Sequence, residues 1–128
     1  MLHVEQALAQ PNSFNKPPSQ ELLPKAAVDV DFTDKRRALH LTLAGVIQGE
    51  SSILLHRFLT DVSSFRGNEW TLDMQNLKVL SSRGIASLVE FSRKIRCRGF
   101  HLVVSAVHQN IYSTLCDLDL VKEFGWCD

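Results

Sequence analysis

Two adjacent serines, Ser81 and Ser82, stand just ahead of a run with helical periodicity. A helix N-terminus presents backbone N–H groups without intrahelical partners and the positive end of the helix dipole, so an anion is stabilised there. A hydroxyl at that point can cap the helix, or it can carry a phosphate. The two roles do not exclude each other. Arg83 comes next and would add a cation beside such a phosphate. Without a phosphate it is a solvated residue in the first turn, where a cation opposes the dipole. Asp73 ends a strand-like run, and a strand-end carboxylate usually accepts backbone or hydroxyl hydrogen bonds. It reads as a structural acceptor rather than a general base. A Ser-His-Asp triad can be assembled on paper from Ser82, a histidine and Asp73, but no nucleophile-elbow pattern supports it.

The other reactive side chains form no such constellation. His3, His40, His56, His101 and His108 lack ligand spacing, so no metal is expected. Cys97, Cys116 and Cys127 are odd in number and lack metal-type spacing. They read as reduced thiols in a cytoplasmic protein. Arg93, Lys94, Arg96 and Arg98 surround Cys97 and read as a solvated helix end. There is no Walker loop or dinucleotide fingerprint, so no cofactor is expected.

Composition narrows the partners. The 128 residues suit one domain with one core. Lys plus Arg and Asp plus Glu both number 14, giving a net charge of zero. A general nucleic-acid or membrane-surface binder would carry a basic excess. No apolar run is long enough to span a bilayer. The opening MLHVEQALAQPNS has neither a basic start nor a long apolar segment, so it does not read as a secretory signal.

The elements that must hold the serine pair can be traced from periodicity. Trp70, Leu72 and Met74 alternate with Thr71 and Asp73, which predicts a strand. Leu77, Val79 and Leu80 read as a connection docked on the core. From Gly84 the period becomes helical. Ile85, Leu88, Val89, Ser92 and Ile95 fall on one side with Phe91 at the edge, and Arg83, Ser87, Glu90 and Lys94 fall on the other. Arg96 and Arg98 suit the last turn, and Gly99 can take the left-handed conformation that ends a helix.

Earlier in the chain, Val28, Val30 and Phe32 alternate with Asp29 and Asp31. After a polar turn, Leu39, Leu41 and Leu43 alternate with His40 and Thr42, so the two runs predict a hairpin. A helix with Leu54, Leu55, Phe58, Leu59 and Val62 on its apolar face follows, capped by Ser51 or Ser52. Phe100, Leu102, Val103 and Val104 predict a strand covered on both faces. Asn110 to Asp117 predicts a short helix with Ile111, Leu115 and Leu118 on one side. Residues 1–25 hold all four prolines among polar residues and read as a flexible, Pro-rich extension, leaving 26–128 as the domain. Strands alternating with helices after a hairpin imply a single α/β domain, a mixed sheet with helices mainly on one face.

In that order and spacing the chain resembles the STAS domain family, the fold of bacterial anti-sigma-factor antagonists. The family pattern is a strand ending L-D-L, then D-S-S-G-L-G opening a helix. Here the strand ends Leu72-Asp73-Met74, and the helix opens Ser81-Ser82-Arg83-Gly84-Ile85-Ala86. The likeness runs from about Val28 to Phe124. Ser82 matches the serine that a partner kinase phosphorylates in the family. Ser81 replaces the family aspartate, Arg83 the second serine and Ala86 the second glycine. Gln48 stands where the family's G-x-L-D has its acid.

The resemblance implies a non-enzymatic regulatory module that binds an anti-sigma factor, a GHKL-type serine kinase. The expected contacts are Ser81, Ser82, Arg83 and Gly84 with the helix face Ser87, Glu90 and Lys94. Phosphorylation of Ser82 would break them. Loss of the acids at Ser81 and Gln48 also admits a scaffolding STAS subunit, never phosphorylated, in a stress-sensing or lipid-transport complex. A small serine hydrolase using Ser82 is a third alternative, from a different class.

Overall fold

Leu39, Leu41 and Leu43 occupy alternate positions of one strand and are fully buried. Their neighbours Ala38, His40 and Thr42 are half-buried or exposed, as a strand period of two requires. That strand lies at the middle of a seven-stranded mixed sheet. The computed structural model describes residues 2–8, 23–33, 36–66, 69–100 and 102–126. In chain order the elements are β1 (Leu2–Ala7), β2 (Lys25–Thr33), β3 (Arg36–Ile47), α1 (Glu50–Val62), β4 (Glu69–Met74), β5 (Leu77–Leu80), α2 (Ser82–Cys97), β6 (Leu102–Val107), α3 (Gln109–Asp117), a 3-10 turn (Val121–Glu123) and β7 (Gly125–Trp126).

The sheet runs β1-β2-β3-β4-β6-β7, with β5 beside the end of β3. Strand β2 is antiparallel to both β1 and β3, and β4, β6 and β7 continue parallel to β3. Parallel neighbours need a crossover, which α1 supplies between β3 and β4 and α2 between β5 and β6. The helices cover one face. Leu55, Phe58, Leu59 and Val62 of α1 and Ile85, Leu88, Val89, Phe91 and Ile95 of α2 are buried. The rings of Phe91 and Trp70 meet edge to face at 5.1 Å. Each fully buried side chain of this kind contributes about 1.5–3 kcal/mol relative to exposure.

Several expectations need correction. Residues 1–25 do not stand wholly apart from the domain: β1 pairs with β2 from Leu2↔Val30 to Ala7↔Lys25. Leu8 is fully buried, and its N–H donates to the Pro24 carbonyl at 2.9 Å. Leu2 and Val4 alternate with His3 and Glu5, a strand pattern that the prolines further on overshadow. Pro11, Pro17 and Pro18 lie outside the described residues. Leu77–Leu80 is a strand rather than a plain connection, pairing in parallel with Gly45–Ile47. Strand β6 is not covered on both faces, because Ser105 is exposed and Val103 only half-buried. Leu118 falls past the last turn of α3 and is exposed.

Neither serine expected to cap α1 does so by its side chain. The cap position is Gly49, whose φ of 58° lets the chain turn sharply from β3 into the helix. Ser51 instead folds back, accepting from the Gln48 N–H at 2.8 Å and donating to the Gln48 carbonyl at 2.7 Å.

Candidate functional site

Strands β3 and β5 end together, and the chain turns from β5 directly into α2. The Ser81 N–H donates to the Ile47 carbonyl at 2.9 Å, which fixes the turn to the end of β3. Ser81 is the N-cap of α2: its backbone is extended, and its hydroxyl accepts from the Gly84 N–H at 3.1 Å. The same hydroxyl lies 2.5 Å from that of Ser52, which is fully buried in the first turn of α1. Ser82 is the first residue of the helix and is exposed. Its hydroxyl makes no hydrogen bond among the described residues. The capping role thus falls to Ser81, and Ser82 is left accessible at the positive end of the dipole.

The two residues that open the helix look in different directions. Ser82 lines an open groove of about 550 Å³ with Ile85, Ala86, Val89, Glu90, Arg93, Leu118 and Leu120. Arg83 lines a second groove, about 460 Å³, with Ile53, His56, Ala86, Ser87 and Glu90. Ala86 and Glu90 line both grooves, so the two openings adjoin along the helix. Consecutive helix residues diverge by about 100° around the axis, and here that angle separates the α3 flank from the α1 flank.

The expected partner surface is also smaller than the sequence suggested. Ser82, Arg83, Glu90 and Lys94 are exposed and Ser81 is half-buried, but Gly84 and Ser87 are buried. A Cβ on Gly84 would lie 2.5 Å from Leu80 Cδ1, so a larger residue there would have to displace that leucine side chain. Ser87 faces α1, where its hydroxyl is 3.2 Å from His56 Nδ1. Glu90 and Lys94 form an i,i+4 pair at 3.7 Å.

Asp73 accepts from the Gln75 N–H at 2.9 Å, closing the turn after β4 as a structural acceptor. Four histidines are engaged in structure. His3 pairs with Asp29 and Glu5, which raise its pKa. His40 meets Thr71, His56 meets Ser87, and His108 caps α3 through Nδ1. None of these contacts reaches Ser82. His101 and Cys127 lie outside the described residues, and Cys97 and Cys116 are free thiols. No group of three metal-ligating side chains occurs among the described residues. No helix there is long and apolar enough to cross a membrane.

Sequence reasoning missed Ser52 and the Leu118–Leu120 wall. Nothing in the spacing of Ser52 distinguishes it from Ser51, and only the α1–α2 contact does. Leu118 carried a weak signal, since a leucine beyond the last turn of a short helix need not follow its stripe.

The STAS domain family model matches residues 29–128. Two solved structures are similar in fold. A substituted form of RsbS from Moorella thermoacetica is 18% identical, with a TM-score of 0.58 over 78% of this chain and 85% of that one. An anti-sigma factor antagonist from Mycobacterium paratuberculosis is 20% identical, with a TM-score of 0.55 over 77% and 82%. A search of curated proteins finds no match.

Proposed function

The chain belongs to the STAS domain family, and from that premise we propose that it is a cytoplasmic anti-sigma-factor antagonist switched by phosphorylation of Ser82. The observation that carries this reading is the division between the two serines. The Ser81 hydroxyl is taken up by the Gly84 N–H and Ser52, while Ser82 is exposed on the first turn of α2 with no hydrogen bond to its hydroxyl among the described residues. In its hydroxyl form Ser82 would meet an anti-sigma factor, a GHKL-type serine kinase, together with Arg83, Glu90 and Lys94. A phosphate there adds about −1.5 to −2 charges and three acceptor oxygens. The helix end stabilises it, and its charge and bulk break a contact built around a neutral hydroxyl. The chain performs no catalysis in this scheme, since the kinase holds the nucleotide.

The test starts with affinity capture from the native host and identification of the kinase by mass spectrometry. Ser82→Ala should bind that kinase and accept no phosphate, and Ser82→Asp should bind more weakly by calorimetry. Phosphate on another residue, unaffected by Ser82→Ala, removes Ser82 from the mechanism. A second reading, a scaffold that is never phosphorylated, draws on the absence of any acid in the first turn of α2. No phosphate on the wild type, with equal binding by all three proteins, selects it.

A further inference from the structure

Ser52 belongs to α1, not to the helix that carries the proposed phosphate acceptor. It is fully buried, so no partner can touch it directly. Its neighbour Ser51 spends its hydroxyl on Gln48 and closes the turn from β3 into α1. Ser52 spends its own across the helix pair, on Ser81. A buried hydroxyl left without a partner forfeits its hydration and gains nothing, so this contact is strongly selected over an empty one. The Ser81 oxygen has two lone pairs. The Gly84 N–H occupies one at 3.1 Å, and the Ser52 hydroxyl lies within hydrogen-bond distance on the other side, either hydroxyl donating. The Ser81 N–H is meanwhile held by Ile47. The corner between β3 and α1 therefore grips Ser81 by both its backbone and its side chain.

We infer that Ser52 is a positioning residue for the site: by holding Ser81 as the cap, it fixes the first turn of α2 and keeps the Ser82 hydroxyl turned outward and unshared. The link to phosphate transfer rests on the reading of Ser82 as acceptor, but the hold on the cap does not. Without Ser52, the Ser81 hydroxyl is free to leave Gly84, and the first turn then frays. The energy at stake is that of one ordinary hydrogen bond. It should change local opening at Gly84 by about 2- to 10-fold without unfolding the domain.

The experiment compares the full chain with Ser52→Ala, Ser52→Cys, Ser52→Thr and Ser81→Ala. Cysteine keeps the volume with only a weak donor, and threonine keeps the hydroxyl. Amide hydrogen exchange at Gly84 is the first readout, with Ile95 in the same helix as the internal reference. Exchange at Gly84 should speed up in Ser52→Ala and Ser52→Cys, return toward wild type in Ser52→Thr, and stay unchanged at Ile95. Adding Ser52→Ala to Ser81→Ala should bring no further increase, because the two act through one contact. Wild-type exchange at Gly84 in both Ser52→Ala and Ser52→Cys overturns the inference.

The second readout is phosphate incorporation with the captured kinase. Ser52→Cys should slow transfer to Ser82 by a similar factor with the affinity for the kinase little changed. Unaltered transfer despite faster Gly84 exchange overturns the part concerning Ser82. If the wild type takes no phosphate, the switch reading fails, while Gly84 exchange still decides whether Ser52 holds the cap.

Discussion

The two ends of α2 are built by opposite means. The C-terminal end is clamped by charge. Arg93 donates from Nε and Nη2 to the Glu123 carboxylate at 3.2 and 3.0 Å, and Arg96 reaches the same group at 2.7 Å. The Ser92 hydroxyl donates to the Glu123 carbonyl at 2.8 Å, and Arg98 donates to the Ser63 carbonyl. Gly99, with φ of 86°, ends the helix. At the N-terminal end the hydrogen bonds are neutral ones, between Ser81, Ser52, Gly84 and Ile47, and the first turn holds no acid. Charge at one end fixes the helix against its neighbours. Its absence at the other leaves the dipole uncompensated, which is where a phosphate has the most to gain.

Both ends depend on the apolar stripe between them. Leu88→Ala should cost about 2–5 kcal/mol, as buried leucine truncations do, read from urea unfolding. A loss below about 1 kcal/mol would show that the ends hold the helix without its middle. Deleting residues 1–8 removes Leu8 and the edge strand β1, which pairs only with β2 among the described residues, and should also lower stability by about 2–5 kcal/mol. Its signature should differ: Gly84 and Arg98 should keep the same relative exchange rates, because neither end of α2 is touched.

Smaller changes separate the ends. Ser81→Ala should cost about 1–2 kcal/mol, through a lost cap and an unpaired Ser52, with little dependence on salt. Glu123→Gln should weaken the other end in a way that fades at high salt, since Arg93 and Arg96 are exposed. The pH dependence follows from the carboxylate. Hydrogen bonding from Arg93, followed by the charges of Arg93 and Arg96, holds the Glu123 carboxyl below its usual range, despite partial desolvation. Its contribution is therefore full above the ordinary glutamate value of about 4.3 and is lost as pH falls through the lower folded value. Acid titration followed at the Ser92 and Arg96 amides should show that loss in the wild type and not in Glu123→Gln. The smallest effect expected is that of Glu90→Ala, under about 0.5 kcal/mol, because an exposed i,i+4 pair is weak. A cost equal to that of Leu88→Ala would reverse the assignment of the helix faces.

Much of this arrangement is legible in the sequence. The period change at Gly84 marks the opening of α2, and Ile85, Leu88 and Ile95 name the buried face. Gly99 marks the helix end, because few other residues accept its φ. What escapes is set by contacts between elements distant in sequence. Ser87 reads as surface by helical angle, yet α1 packs over it and buries it. The choice of Ser81 over Ser82 as cap needs the position of Ser52 and Ile47. The strand character of Leu2–Ala7 is short and precedes a proline-rich run, so composition outweighs its alternation. Asp73 was legible because its hydrogen bond is local, only two residues away.

Glu123 also gives the fold a timetable. Among the described residues it is the last hydrogen-bonding partner of α2 in chain order, and it offers both its carboxylate and its carbonyl to that helix. At a synthesis rate of about 5–20 residues per second, Ser81, Ser52 and Ile47 all exist a second or more before it does. A chain stopped short of Glu123 thus holds every hydrogen-bond partner of the Ser81 cap but lacks the acceptor of the α2 arginines. All the partners of the proposed phosphorylation end are made before the acceptor of the opposite end. In chain order, the end of α2 completed last is the one away from Ser82.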